Sequence, residues 1–271
     1  MLAPRAALRL AALVVTLALV AVRAEARAEL YVYDFELPGT PAANVDQVRE
    51  LGFSGLVTRV ATPGDLFILE AYADKVAGLR RFRMLPYIAY DFSKPAQADV
   101  WRDALPLLVE LGAPLWVVIK QAPSDDAVRA LIAEMATEAA LTGRRLVLYP
   151  HYNTDIETAD EAAEFMAEVG HPNVRNSLHT CHEIRGGNQD TMPAEVAEHA
   201  QATALVAIAG AKADAYVGPP GPFAQWSEVI KPLNKGSWSL LPFLHALEKA
   251  GYDGPVILQT FGVTESGHPG H

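Results

Sequence analysis

The sequence predicts an α/β chain, a (β/α)8 TIM barrel whose eighth helix is short or missing. Three observations lead there. Eight short apolar, β-branched runs alternate with longer amphipathic segments. Their starts recur about every 30 residues until the seventh, the length of a strand, a helix and two short loops. A chain of 271 residues with 51% apolar and 20% charged side chains can bury one large core, and it is close to the ~250 residues typical of such a barrel.

The first 28 residues are set apart from the fold. Arg5 and Arg9 precede an apolar run over 10–22, and the small-residue patterns Ala24-Glu25-Ala26 and Ala26-Arg27-Ala28 follow it. As a helix the run rises about 20 Å, short of the ~30 Å hydrocarbon core, so it reads as a secretory signal and not as a spanning anchor. Residues 1–28 are therefore expected to be a signal peptide and 29–271 the barrel domain, in a periplasmic or secreted protein with no membrane attachment after cleavage. The net charge of −10 becomes more acidic once four arginines and one glutamate leave with the signal. Without a dense Lys/Arg patch to meet phosphates, nucleic acid is excluded as a partner. The single Cys181 leaves no internal disulfide, and a buried, inert thiol is its expected state.

Strands are expected over 30–36, 55–60, 83–89, 115–120, 145–151, 174–179, 205–209 and 255–260. Most are near-continuous apolar runs, such as Leu146-Val147-Leu148-Tyr149, as in parallel strands covered on both faces. Between them, Thr40-Pro41 and Thr62-Pro63 each pair an N-cap with a first-turn proline, and Thr158 with Glu161 has the spacing of a capping box. Val128, Leu131, Ile132, Met135 and Ala139 form one buried stripe, and Trp101, Leu105, Leu108 and Leu111 another. Leu51-Gly52, Leu111-Gly112, Thr142-Gly143 and Val169-Gly170 mark helix ends. The segment 216–238 carries Gly218-Pro219-Pro220-Gly221-Pro222 and is expected to be a long loop over the barrel top. After the eighth strand the chain runs only to His271, so the barrel is either left uncovered there or covered by a second copy in a homodimer. An open doubly wound sheet is the competing fold. Against it, no glycine-rich dinucleotide turn follows the first strand, and no nucleotide cofactor is expected.

Function in such barrels sits at the C-terminal ends of the strands. Candidate side chains there are Arg59, Tyr90, Lys120, His151, His179, His182, Glu183 and Gln259. Histidines at two neighbouring strand ends suit either a divalent metal or acid/base chemistry near neutral pH. Lys120, after the apolar Trp116-Val117-Val118-Ile119, can hold a developing enolate or act with a depressed pKa. Trp226, Trp238 and Phe223, in or beside the long loop, offer faces on which sugar rings stack.

The segments Leu148-Tyr149-Pro150-His151-Tyr152, His179-Thr180-Cys181-His182-Glu183 and Gly251-Tyr252-Asp253-Gly254-Pro255-Val256 resemble the sugar phosphate isomerase/epimerase superfamily with the xylose-isomerase-like barrel. The resemblance implies a small carbohydrate substrate and a proton moved next to a carbonyl. Its metal-dependent members carry a glutamate on strand five, an aspartate and a histidine three residues later on strand six, a histidine on strand seven and a glutamate on strand eight. Position by position these become His151, the pair His179 and His182, the 209–210 region and Gln259, so only His182 is retained in kind. The resemblance thus implies one divalent ion (Mn, Zn, Co or Fe) on His151, His179, His182 and Gln259, or none. Both readings make His151, His182, Lys120 and Glu183 the catalytic candidates and Trp226, Tyr90 and Arg59 the substrate-binding ones. With no glycine-rich phosphate loop or arginine cluster, the expected substrate is unphosphorylated, for an isomerase, epimerase, or keto-sugar lyase or hydratase. The competing class is a non-catalytic carbohydrate-binding barrel that has lost the metal site.

Overall fold

Eight parallel strands close into a barrel in chain order, β1 pairing with β8 through Leu30↔Val256, in a computed structural model that describes residues 29–35, 37–215 and 226–263. The strands are β1 (Leu30–Tyr33), β2 (Gly55–Val60), β3 (Arg83–Asp91), β4 (Leu115–Lys120), β5 (Leu146–Leu148), β6 (Val174–His179), β7 (Thr203–Ile208) and β8 (Val256–Leu258). All eight expected strands are present, although β1, β5 and β8 are shorter than expected and β3 runs on to Asp91. The helices are α1 (Pro41–Glu50), α2 (Pro63–Val76), α3 (Val100–Leu111), α4 (Asp125–Leu141), α5 (Ala159–Val169), α6 (Thr180–Gly186), α7 (Met192–His199), α8 (Trp226–Val229) and α9 (Leu241–Lys249).

The helix starts follow from their capping residues. Thr40 accepts from the Ala43 N–H, and Thr62 and Asp65 form a full reciprocal box. At α5 only half of the expected box forms. Thr158 accepts from the Glu161 N–H, whereas the Glu161 carboxylate turns to the N–H of Glu157. Gly112 and Gly170 close α3 and α5 in the left-handed conformation, φ +67° and +63°, that a Cβ would strain. The α4 stripe is buried as its spacing requires.

Two elements differ from expectation. His179 is followed at once by α6, a seven-residue helix that turns His182 and Glu183 into helical residues. A four-residue helix, α8, stands within the long segment after β7, the rest of which, 216–225, lies outside the described residues. No helix follows β8 among the described residues, which end there at Val263; the expected signal peptide also lies outside them. No described helix is long and apolar enough to cross a membrane.

Strand alternation divides the core. Outward residues such as Ile88, Leu115, Val117 and Ile119 pack under the helices, and inward residues fill the barrel. Branched aliphatics usually dominate a barrel interior, but here rings do. Tyr33, Tyr87, Trp116 and Tyr149 interlock at centroid distances of 4.8–6.4 Å. Tyr33 and Tyr149 also hydrogen-bond through their hydroxyls at 3.1 Å. These rings form the floor of the site.

Candidate functional site at the barrel mouth

Continuing the inward rows beyond that floor reaches one cavity of about 420 Å³, lined among others by Arg59, Lys120, His151, His182, Trp226 and Gln259. Each comes from the strand phase. Val57 is inward on β2, so Arg59 is; Val118 on β4 leads to Lys120, Tyr149 after β5 to His151, and Ile257 on β8 to Gln259. His182 enters from the first turn of α6.

The turn after β5 aims His151. Asn153 takes a left-handed φ of 62°, and Thr154 Oγ1 donates within the turn to the His151 and Ile156 carbonyls. His151 Nδ1 lies 2.9 Å from the Tyr152 carbonyl. A carbonyl only accepts, so Nδ1 carries the proton and Nε2 keeps its lone pair. No described group bonds that Nε2. The His151 and His182 rings lie 3.9 Å apart between centroids. His182 is 3% exposed, and neither of its ring nitrogens has a partner. Burial, assisted by the Lys120 charge, lowers the His151 pKa to about 4. Burial, then His151, His179 and Lys120, hold His182 well below the usual range. Both rings are neutral at pH 7.

His179 lies below the mouth. Its ring stacks on Tyr149 at 3.9 Å and 12°. Ser177 Oγ donates to the Leu148 carbonyl and accepts from Trp116 Nε1–H, so its contact with His179 at 3.0 Å is donated by Nε2–H. His179 Nδ1 is thereby left as a buried lone pair without a partner.

Facing these rings are two cations. Burial and the neighbouring Arg59 charge lower the Lys120 pKa. Asp91, opposite Lys120 in the β3–β4 register, is engaged by Lys94 at 3.5 Å and by Ser93. Gln259 is oriented too: its Oε1 accepts from the Phe261 N–H at 3.0 Å, so its NH2 is the end left for a ligand. Above, Trp226 packs edge-on to His182 at 5.4 Å. Behind it the buried Arg185 guanidinium lies over the Trp226 and Tyr152 rings at 5.3 and 4.7 Å.

Of the residues expected from the sequence, His151, His182, Lys120, Arg59, Trp226 and Gln259 come together. Two do not. Tyr90 is outward on β3 and packs in the helix layer with Phe92 at 5.0 Å. Glu183, one residue after His182, is turned ~100° away around α6. It accepts from the Ala159 N–H and from Asn188 Nδ2, and burial pushes its pKa to about 8. Sequence reasoning missed Tyr87, Tyr149, Phe35 and Phe261, which also line the cavity. The period-2 phase of their strands would have found them.

The family's metal does not fit this mouth. No carboxylate lines it among the described residues, and strand seven offers only the buried Ala207 near its end and the buried Ala209 just beyond it. Gln259 turns its carbonyl away, His179 is spent on Ser177, and Arg59 and Lys120 oppose a cation. Elsewhere Asp160, Glu198 and His199 bring one ligand atom each within 4.8 Å of one another, a grouping able to hold a metal ion. It joins α5 to α7, with His199 Nε2 2.5 Å from Asp160, and none of its members lines the cavity.

Fold and site together define a (β/α)8 barrel with a cationic, histidine-bearing cavity at its strand C-termini. The chain belongs to the xylose isomerase-like TIM barrel family, whose profile matches residues 45–270. Its fold is similar to that of 3-keto-D-glucoside 4-epimerase from E. coli, with a TM-score of 0.65 and 16% identity over 89% of this chain and 94% of that one. It is also similar to D-allulose 3-epimerase from Methylomonas sp., with a TM-score of 0.64 and 18% identity over 86% and 84% of the two chains. The IolI protein, solved with a zinc atom, matches at a TM-score of 0.64 and 15% identity over 88% and 90%. No curated protein sequence matches the chain.

Proposed function

We propose that the protein moves a proton at the carbon beside a carbonyl of a small, unphosphorylated carbohydrate, and that it does so outside the cytoplasm after removal of residues 1–28. The observation that carries this reading is the free Nε2 lone pair of His151 beside a second neutral imidazole and across from two cations. In the step we infer, His151 Nε2 takes the proton from carbon and the electron pair moves into the carbonyl. The resulting enolate oxygen is held by Lys120. The His151 imidazolium then holds the proton: returned to the carbonyl carbon while the neighbouring hydroxyl passes its own proton to the enolate oxygen it gives an isomerase, relayed through the His182 ring to the opposite face of the same carbon an epimerase, and given to a departing β-hydroxyl, which leaves as water, a lyase. A base with a pKa of about 4 is weak, so the electrophile carries much of the barrier lowering. Bound negative charge also raises the imidazole pKa toward neutrality. The family membership and the epimerases of the same fold support the reaction class.

The test is exchange of substrate C–H for deuterium in D2O, followed by NMR, over a panel of keto sugars. Wild type is expected to exchange one position, and His151→Gln to lose it by about 100-fold or more. The missing carboxylate pair favours a second reading, a carbohydrate-binding barrel without catalysis. Saturable binding of every exchange-silent sugar would select it.

A further inference from the structure

The charge inside the cavity runs against the charge of the chain. The protein carries −10 overall, yet the described lining contains two cations, two neutral imidazoles and no carboxylate. Neither Arg59 nor Lys120 forms an ion pair with a described residue, and the Gln259 amide is oriented to donate. Hydroxyl-rich neutral sugars are usually met by a mixture of donors and acceptors, and carboxylate acceptors are what this lining lacks. Lys120 is partly buried beside the like charge of the exposed Arg59, an arrangement that an anion relieves.

We infer that the cavity takes a carbohydrate bearing a carboxylate, a sugar acid, and that Arg59 is the residue that grips it. The inference deepens the proton-transfer reading and rests on it for the location of the site. The two cations divide the work. Lys120 closes β4, the neighbour of the strand that leads to His151, and lines the cavity with His151 and His182, so it is the cation assigned to the reacting carbonyl. Arg59, two strands away on β2, stands opposite Tyr87 in the β2–β3 register instead. Its planar fork matches a carboxylate in a bidentate pair, whereas an ammonium is a point charge. With the carboxylate on Arg59, the sugar extends toward His151 and its distal ring edge meets Trp226. The same negative charge raises the His151 pKa and makes it a better base.

The test is calorimetric titration of the protein with D-glucuronate and D-galacturonate, with the matched neutral hexoses, and with D-glucose 6-phosphate. A uronate is expected to bind at least about tenfold more tightly than its neutral hexose, with affinity falling as salt rises. Arg59→Gln is expected to weaken uronate binding by about 10- to 100-fold and collapse the preference, with Arg59→Lys restoring part of it. Circular dichroism of each variant checks that the barrel is intact. Equal affinity for uronate and hexose, tighter binding of the phosphate, absence of uronate binding, or an Arg59→Gln variant that keeps its preference would each overturn the assignment. Deuterium exchange on a neutral keto sugar with no uronate binding would leave the proton-transfer reading standing and the sugar-acid inference refuted. Uronate binding without exchange would do the reverse.

Discussion

Replacing His179 by phenylalanine should change the pH dependence of stability more than stability itself. The ring packs against Tyr149 and Trp116, at 3.9 and 5.6 Å between centroids, and a phenylalanine ring can take its place. At pH 7 the substitution removes the hydrogen bond to Ser177, worth about 1 kcal/mol, and also removes an unpartnered buried Nδ1 whose desolvation costs about 1–3 kcal/mol. The two nearly cancel. Below pH 7 they are joined by a proton. Burial holds the folded His179 well below its ordinary pKa, so the unfolded chain, titrating near 6.5, binds a proton that the native state refuses. The unfolded state then binds more protons, and wild-type stability falls as pH falls through that window. Between pH 7 and 5 this one group removes up to about 2 kcal/mol from wild type and nothing from His179→Phe. Urea unfolding followed by tryptophan fluorescence at pH 5, 6 and 7 reads the difference, since groups away from His179 cancel between the two proteins. A wild-type-minus-variant stability that is constant across these pH values would refute the neutral buried imidazole.

Glu183 should act with the opposite sign. Its folded pKa near 8 lies above the unfolded value, so its contribution is present at low pH and is lost as pH rises from about 4.5 to 8. Glu183→Gln is expected to flatten that alkaline decline by up to ~1.4 kcal/mol per pH unit and to leave substrate exchange intact, and a large exchange defect would place Glu183 in the chemistry after all. Elemental analysis should find no stoichiometric transition metal on His151 and His182; about one equivalent, lost in the double variant His151→Ala and His182→Ala, would overturn the donor-set argument. N-terminal sequencing of the exported protein should begin at Glu29, and an intact Met1 terminus would remove the signal-peptide expectation.

Much of the scaffold is legible in the residue order. The strand and helix runs, the Thr-Pro helix starts and the glycine helix ends are local, and each specifies its element without help from the rest of the chain. The candidate site was legible wherever a polar residue closed a strand in the inward phase, as with Arg59, Lys120, His151 and Gln259. Tyr90 shows where reading strand ends without phase goes wrong: one step along β3 exchanges barrel interior for helix layer. Glu183 shows the same for α6, whose brief apolar content carries no periodic signal of its own, so that His182 and Glu183 looked equivalent until a helix set them about 100° apart.

The sequence by itself determined the fold class, because eight strand–helix units with local stop and start signals close into a barrel through short-range rules. Tertiary structure alone decided the chemistry of the mouth. Which lone pair His151 keeps, which end Gln259 presents and whether Asp91 answers Lys94 or Lys120 are settled by contacts one to three residues away whose geometry no local pattern announces, and that no described carboxylate enters the cavity is settled by which strand ends the closed barrel brings together. A side chain's type is local, but its proton, its partner and its charge depend on what the closed barrel places beside it.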